Sequence, residues 1–166
     1  MATSSHSSVL KISPGMNTWS LNPSWAATVL PLPQLEISSR LNYLYNFQNS
    51  NVVLPGPTPV QVTTRAGQAI FEDFAVAYEF LPFNPERTAA YSIRAGLNGY
   101  YLKQFTDSEV NGQAQPNSQE QVLGLGPGVM WVATKDDAFW FNVYFETAVE
   151  NRFASNVFQA RWARTF

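Results

Sequence analysis

The sequence contains no cysteine and only one histidine, His6. The lack of cysteine excludes a disulfide framework and thiol chemistry. His6 lies in a serine-rich N-terminal stretch, where a disordered tail is the expected structure. Ser-His triads, histidine metal sites and most histidine-based acid–base catalysis are therefore excluded. We expect a protein that is not an enzyme and that needs no metal or cofactor.

Charge and long hydrophobic runs are also scarce. Charged residues make up 13% of the chain, against roughly 25% in an average domain. The net charge is −2 and no basic run is present, which argues against nucleic acid as a partner. No stretch approaches the ~18 consecutive apolar residues of a membrane-spanning helix. Residues 1–8 carry neither the cationic start nor the apolar segment of a secretory signal peptide.

Aromatic residues are abundant, at 14%, and most of them fall in segments that alternate apolar and polar residues. Successive side chains of a strand point to opposite faces, so this alternation predicts strands with one apolar and one mixed face. The predicted strands are 17–31, 35–48, 67–81, 88–105, 119–133, 138–150 and 153–166, with a weaker eighth candidate at 8–15. All seven main candidates exceed the ~9–11 residues with which a tilted strand crosses a bilayer.

Two families of all-β protein share this pattern. A soluble barrel of the lipocalin kind buries the apolar row around an apolar ligand, whereas a membrane barrel turns that row to lipid and the polar row to its lumen. In the membrane case, the candidate lumen residues are Arg40, Asn42, Asp73, Glu79, Arg94, Asn98, Asn142, Glu146 and Arg161. The candidate membrane-facing residues are Phe141, Val143, Phe158, Trp162 and the terminal Phe166.

The lengths of the connections favour the membrane barrel. Links 31–34, 82–87 and 134–137 are short, while 49–66 and 106–118 are long, as in outer-membrane barrels with short periplasmic turns. Glu72 and Arg164 fall on the apolar row, but near strand ends where they can reach an interface. An aromatic girdle is expected near the short links, formed by Tyr78, Phe80, Tyr91, Trp131 and Phe139.

Prolines and carboxylates give further expectations. Pro23 and Pro127 each remove a ladder donor, so we expect a bulge or kink at each, eased near Pro127 by Gly124, Gly126 and Gly128. Glu146 is expected to pair with Arg161 across the last turn. Glu146 and Glu150 lie four residues apart and are expected on one face. Lys135-Asp-Asp137 predicts a hairpin turn rather than a metal site.

Several stretches together resemble one outer-membrane family, named for the meta-pathway of phenol degradation. They are Asn17-Thr-Trp-Ser-Leu-Asn-Pro23, Leu35-Glu-Ile-Ser, Thr64-Arg-Ala-Gly67, Phe71-Glu-Asp-Phe74, Asn98-Gly-Tyr-Tyr-Leu-Lys-Gln104 with Asp107 beyond, Gly126-Pro-Gly128, Tyr144-Phe-Glu146 and Glu150-Asn-Arg152. Their order and spacing carry the resemblance, which runs from about residue 14 to residue 166.

The resemblance implies an antiparallel, up-and-down transmembrane β-barrel in the outer membrane of a Gram-negative bacterium. It implies porin-like transport of small compounds, hydrophobic or aromatic ones among them, and assembly by the outer-membrane machinery, which reads the terminal Phe166. Family members are longer, so the chain is identified as a C-terminal portion with about seven or eight strands. Residues 1–13 are expected to be disordered or a partial strand, and 14–166 to form the barrel portion. A fragment without independent activity is the remaining alternative.

Overall fold

The computed structural model describes residues 19–54, 60–84, 86 and 91–166, and the regular structure in these ranges is entirely β. No helix long and apolar enough to cross a membrane occurs among the described residues. The segments 1–13 and 8–15 lie outside this part of the chain. The strands are β1 (Ser20–Leu21), β2 (Ser24–Leu32), β3 (Leu35–Asn46), β4 (Asn49–Leu54), β5 (Val60–Arg65), β6 (Ala69–Leu81), β7 (Ser92–Gln104), β8 (Glu109–Val110), β9 (Gln113–Ala114), β10 (Gln121–Val132), β11 (Asp137–Glu150) and β12 (Asn156–Arg164).

Eight of these strands form one antiparallel sheet in up-and-down order. Both β1 and β2 pair with β3, which is followed by β6, β7, β10, β11 and β12, so the sheet has seven strand positions. The seven predicted strands and the all-β antiparallel class are confirmed. Within the described residues the sheet does not close into a barrel, because β1–β2 and β12 remain as its two edges. The chain is consistent with part of a barrel.

A second, four-stranded sheet in the order β4-β5-β8-β9 occupies the two connections that were expected to be long loops. The β8–β9 hairpin turns at Asn111-Gly112, where φ is 52° and 75°. Asn-Gly is the residue pair that a two-residue turn with two positive φ angles prefers. Arg65 of β5 pairs with Glu109 of β8, and Val62 is buried in this sheet. The described parts of the two long connections are therefore structured.

The main sheet exposes its apolar residues. We call the apolar side of the sheet the outer face and the opposite side the inner face. Exposed outer-face residues include Trp25, Val29, Ile37, Leu41, Val76, Leu97, Val129, Phe141, Phe145 and Phe158. Among the described residues the buried hydrophobic ones are Val62, Ala69, Val122 and Ala133, whereas six polar residues are buried, three of them asparagines of β3 and β11: Asn42, Asn46 and Asn142. This distribution is the inverse of a soluble domain.

The strand register aligns the outer face into an apolar belt. Val29, Ile37, Val76, Leu97 and Pro127 are successive cross-strand partners from β2 to β10, and Val143 and Phe158 are partners on β11 and β12. Every strand position thus contributes an apolar side chain at this level. Cross-strand neighbours on one face lie within contact distance, so the belt is continuous.

Neither proline produces a bulge, which was one of the two distortions expected there. At Pro23 the pairing with β3 is interrupted over two residues, but it resumes in the same register, and the Tyr43 amide donates to the Pro23 carbonyl at 3.0 Å. At Pro127 the register to β7 is unbroken. The ladder to β11 skips Gly126 and Pro127 and resumes in register at Gly128. Each proline therefore removes pairing without shifting the alternation of faces.

One of the register shifts in the sheet lies at the far end of β11, away from both prolines. The register between β10 and β11 shifts between Gln121 and Leu123, opposite Ala148, whose φ is 49°. An extra residue in one strand transfers every later side chain to the other face. Glu146 accordingly lies on the inner face, while Glu150 contacts the outer-face Lys103 at 3.3 Å. The expectation that the two glutamates share a face was wrong.

Candidate functional site

The inner face borders a cavity of about 920 Å³. Its lining runs from Thr28 on β2 to Arg161 on β12, so the sheet curves around it from one edge to the other. Of the nine residues predicted to face a lumen, seven border this cavity: Arg40, Asp73, Arg94, Asn98, Asn142, Glu146 and Arg161. The alternation of apolar and polar residues along each strand was thus sufficient to identify residues of five strands that border one cavity.

The other two predicted residues, Asn42 and Glu79, do not border the cavity. Asn42 is 7% exposed, and its side-chain amide donates to the Phe71 carbonyl at 3.2 Å. Glu79 accepts hydrogen bonds from Ser92 Oγ at 2.8 Å and from Arg94 Nε at 3.1 Å. Both residues have structural partners between neighbouring strands.

Ion pairs cross the strands near the cavity. Arg40 of β3 pairs with Asp73, its direct partner on β6. Arg94 of β7 lies between Glu36 at 2.9 Å and Glu79 at 3.1 Å. The Arg40–Asp73 and Arg94–Glu79 pairs join neighbouring strands, which favours this register over others, and Arg94 also reaches across β6 to Glu36 on β3. Because the side chains of Arg40 and Arg94 are 58% and 40% exposed, solvent weakens these pairs.

Glu146 is the most densely hydrogen-bonded carboxylate of the inner face. It accepts from Tyr100 Oη at 2.6 Å, from the Ser155 amide at 2.8 Å and from Ser155 Oγ at 3.0 Å. Arg152 lies 3.5 Å away, and the Glu146 side chain is only 2% exposed. A buried carboxylate needs such a set of donors to remain stable. The cluster fixes the 151–155 turn against β7 and β11.

Two glycines of β10 let side chains of β7 reach β11. A Cβ at position 124 would overlap the Tyr100 ring, and a Cβ at position 128 would overlap the side chains of Asn98 and Asn142. Tyr100 crosses above Gly124 to Glu146, and Asn98 crosses above Gly128 to Asn142 at 2.8 Å. These two glycines therefore have a role in side-chain packing that the sequence did not predict.

A row of side-chain amides continues from the crossing of Asn98 over Gly128 to β12 at the edge of the sheet. Asn98 donates to Asn142 Oδ1, and Asn142 Nδ2 donates to Gln159 Oε1 at 3.3 Å. The row spans β7, β10, β11 and β12. Uncharged amides therefore line the cavity between the Arg94 pairs on one side and the Glu146 cluster on the other.

Arg161 does not pair with Glu146. Its cross-strand partner is Trp140, and Glu146 bonds to Arg152 and Ser155 instead. Glu146 lies near the β11 end of the 151–155 link, whereas Arg161 lies farther along β12, opposite Trp140, so the two side chains are at different levels of the sheet. Within the described residues Arg161 makes no ion pair, although it interacts electrostatically with Tyr144.

The residues predicted to face the membrane lie on the outer face. Phe141, Phe158 and Trp162 are exposed there, Val143 is half-buried in the same row, and Phe166 is fully exposed at the end of the chain. Near the short links, Trp131 stacks on Phe139 at 5.4 Å and Tyr78 contacts Phe80 at 5.0 Å. Trp162 is the cross-strand partner of Phe139 and extends this aromatic cluster, although the sequence analysis did not assign it there.

Asp136 and Asp137, at the short connection between β10 and β11, have turn and surface partners. Thr134 Oγ1 donates to Asp137 Oδ2 at 2.9 Å and accepts the Asp136 and Asp137 amides, which confirms the hairpin turn. Arg164 lies 3.9 Å from Asp137. In the part of the chain that the structure describes, no group of three potential metal ligands is present.

Sequence reasoning missed Tyr100, Arg152 and Ser155 as members of the Glu146 cluster. Tyr100 sits on the even, inner row of β7 beside Asn98, so the alternation could have placed it there. The donors from the 151–155 turn could not be found in this way, because a turn has no period.

Comparisons with known proteins identify the family of the chain. No curated protein and no solved structure matches the chain significantly. A protein-family match covers residues 2–162, nearly the whole sequence. The chain therefore belongs to the family described as "Putative MetA-pathway of phenol degradation".

Proposed function

We propose that the chain forms part of the wall of an outer-membrane β-barrel that passes small solutes. The observation that carries this proposal is the inverted polarity of the sheet. Phe141, Phe158 and Trp162 are 49%, 75% and 61% exposed, while arginines, carboxylates and amides border the cavity. In water this arrangement exposes large apolar side chains, whereas in lipid it buries them and hydrates the polar row.

The dimensions of the sheet support a membrane location. Strands β3, β6, β7, β10 and β11 contain 12–14 residues each, which is more than the ~9–11 needed to span the hydrocarbon region. The apolar belt crosses all seven positions, and aromatic pairs lie on the side of the short links. The bacterial outer membrane, with its assembly machinery, is the compartment in which such barrels occur.

The lining of the cavity supports passage rather than storage of an apolar ligand. It combines Arg, Glu, Asp and Asn side chains with small inner-face residues such as Ala75, Gly96 and Gly128. Small residues leave room near the wall, and the polar groups remain hydrated. Small organic compounds with a polar group, aromatic ones included, are the solutes that this lining suits.

The alternative of a soluble barrel with an apolar interior receives no support from this geometry, since the apolar row lies outside. The alternative of a fragment without independent activity is favoured by one observation, the two open edges. With seven positions, β1–β2 and β12 run in the same direction, so antiparallel closure requires an odd number of further strand positions. An unpaired edge also favours aggregation.

A refolding experiment tests the proposal. The chain is diluted from denaturant into detergent micelles or plain buffer and analysed by circular dichroism and by electrophoresis with and without boiling. A β-rich, heat-modifiable band in detergent alone, followed by leakage of a small neutral sugar from liposomes, is the expected result. A β-rich monomer in plain buffer contradicts the membrane proposal. A folded band without leakage supports the fragment alternative.

A further inference from the structure

Four arginines border the cavity, and three of them are neutralised by nearby carboxylates. Arg40 pairs with Asp73, Arg94 with Glu36 and Glu79, and Arg152 with Glu146. The fourth, Arg161, has no carboxylate within ion-pair distance among the described residues. The inner face of the described residues thus carries an unpaired positive charge near β12, whereas Arg94, which lies between two carboxylates, belongs to a group with a net negative charge.

Aromatic and amide groups surround this charge. Trp140 is the direct cross-strand partner of Arg161 on the inner face, and directly opposed side chains lie within about 5 Å at Cβ. Tyr144 interacts electrostatically with Arg161, and all three border the cavity. Gln159, two residues before Arg161 on the same face, accepts from Asn142 through Oε1, so its Nε2 donors are directed elsewhere.

We propose that Arg161, Trp140 and Gln159 form a binding site for the carboxylate of a small aromatic acid. This inference rests on the proposed solute passage and names the class of solute that this site selects. A guanidinium offers a planar pair of donors that matches a carboxylate. The flat Trp140 indole offers a surface on which an attached ring stacks. The Gln159 amide supplies an additional donor to the same oxygens.

Arg161 differs from the other three arginines of the cavity because it has no carboxylate partner in the described part of the chain. This difference accounts for the preferred binding of a solute carboxylate at this site. The three neutralised arginines already have acceptors, so a solute carboxylate must displace a protein carboxylate to bind them. Arg161 requires no such displacement. An anion without a ring loses the contact with Trp140, and a neutral ring loses the hydrogen bonds to Arg161. The site therefore prefers solutes that carry both groups.

Equilibrium binding to the full chain, refolded in detergent, tests this inference. The probes are 4-fluorobenzoate, its neutral analogue 4-fluorobenzamide and the ring-free fluoroacetate, each followed by fluorine NMR. We expect 4-fluorobenzoate to bind more tightly than either of the other two. Arg161→Gln should weaken its binding by about tenfold or more, since hydrogen bonds to charged groups contribute about 1.5–3 kcal/mol.

Variants separate this site from a general effect of charge. Arg164→Gln removes a charge from the outer face of the same strand and should leave binding unchanged. Arg161→Lys keeps the charge but loses the planar fork, so its affinity should lie between those of the original chain and Arg161→Gln. If Arg161→Gln fails to fold, the Lys variant and the three probes decide the question.

Three outcomes overturn the inference. The first is equal binding of 4-fluorobenzoate and 4-fluorobenzamide, and the second is unchanged binding in Arg161→Gln or Arg161→Lys. Absence of any binding by a chain that gives the heat-modifiable band also overturns it. In that case the membrane proposal stands, because the band tests it independently.

Discussion

The crossing of Asn98 over Gly128 makes a quantitative prediction. A Cβ at position 128 would overlap Asn98 Nδ2 and Asn142 Oδ1, so Gly128→Ala must separate the two amides that are now 2.8 Å apart. Losing that hydrogen bond costs about 1 kcal/mol, and crowding adds about 1–3 kcal/mol. Alanine stabilises a strand by about 0.5–1 kcal/mol relative to glycine, which offsets part of this loss. We expect a net loss of about 2 kcal/mol.

A double-mutant cycle isolates the crossing from other effects of the substitution. Truncating Asn98 to alanine removes the nearer of the two side chains that the new Cβ would meet, and with it the hydrogen bond to Asn142 that Gly128→Ala would break. Gly128→Ala should therefore cost clearly less in the Asn98→Ala background than in the original chain. The free energies of unfolding are measured by urea titration of the four proteins in lipid vesicles, with tryptophan fluorescence as the signal. If Gly128→Ala costs the same in both backgrounds, the glycine is not needed for the crossing and the reasoning is refuted.

Three further predictions follow from single positions. Phe158→Arg should reduce the free energy of folding into the membrane by about 2–4 kcal/mol, because it places a charge in the apolar belt. Gln159→Arg changes the neighbouring inner-face residue and should cost far less. Equal effects of the two substitutions on folding yield would count against the assigned faces. Glu146→Ala should destabilise the fold by about 1–3 kcal/mol, since the Tyr100 hydroxyl and the Ser155 amide lose their acceptor; urea titration beside Tyr100→Phe checks this, and an unchanged midpoint would argue against the cluster. Ala148→Gly should stabilise the chain by about 1 kcal/mol, because glycine adopts the positive φ without strain; a lower urea midpoint would contradict the assigned bulge.

The alternation of side chains predicted the strands and their faces well, because it is a local property. In β11 the period from Ala138 to Glu146 is unbroken, and the structure keeps Phe141 and Val143 on one face and Asn142 and Glu146 on the other. This alternation depends on the sequence of the strand itself and not on the strands beside it. The family resemblance added the order of the strands.

Features that depend on a distant partner could not be predicted in this way. The roles of Gly124 and Gly128 arise from residues on two other strands, which meet only when the register is known. The bulge at Ala148 has no local signal, since alanine rarely adopts a positive φ. It was this bulge that placed Glu150 on the face opposite Glu146.

One missed feature did have a signal. Asn111-Gly112 follows Val110 and precedes the short strand β9, and this residue pair is the strongest sequence indication of a tight hairpin. The segment 106–118 was predicted to be a long connection, and the two strands that it contains, β8 and β9, have only two residues each. Strands of that length have no detectable period, so the turn residues alone carried the information.

The most direct test of the outward apolar face uses two adjacent residues of β6. Because the sequence has no cysteine, Ala75→Cys and Val76→Cys each introduce one thiol, on the inner and outer faces respectively. Each variant is labelled with an environment-sensitive fluorophore and folded into vesicles that contain lipids with brominated acyl chains. We predict strong quenching and blue-shifted emission for the label at position 76, and little quenching at position 75. Quenching at position 75 without quenching at position 76 would contradict the assignment of the faces.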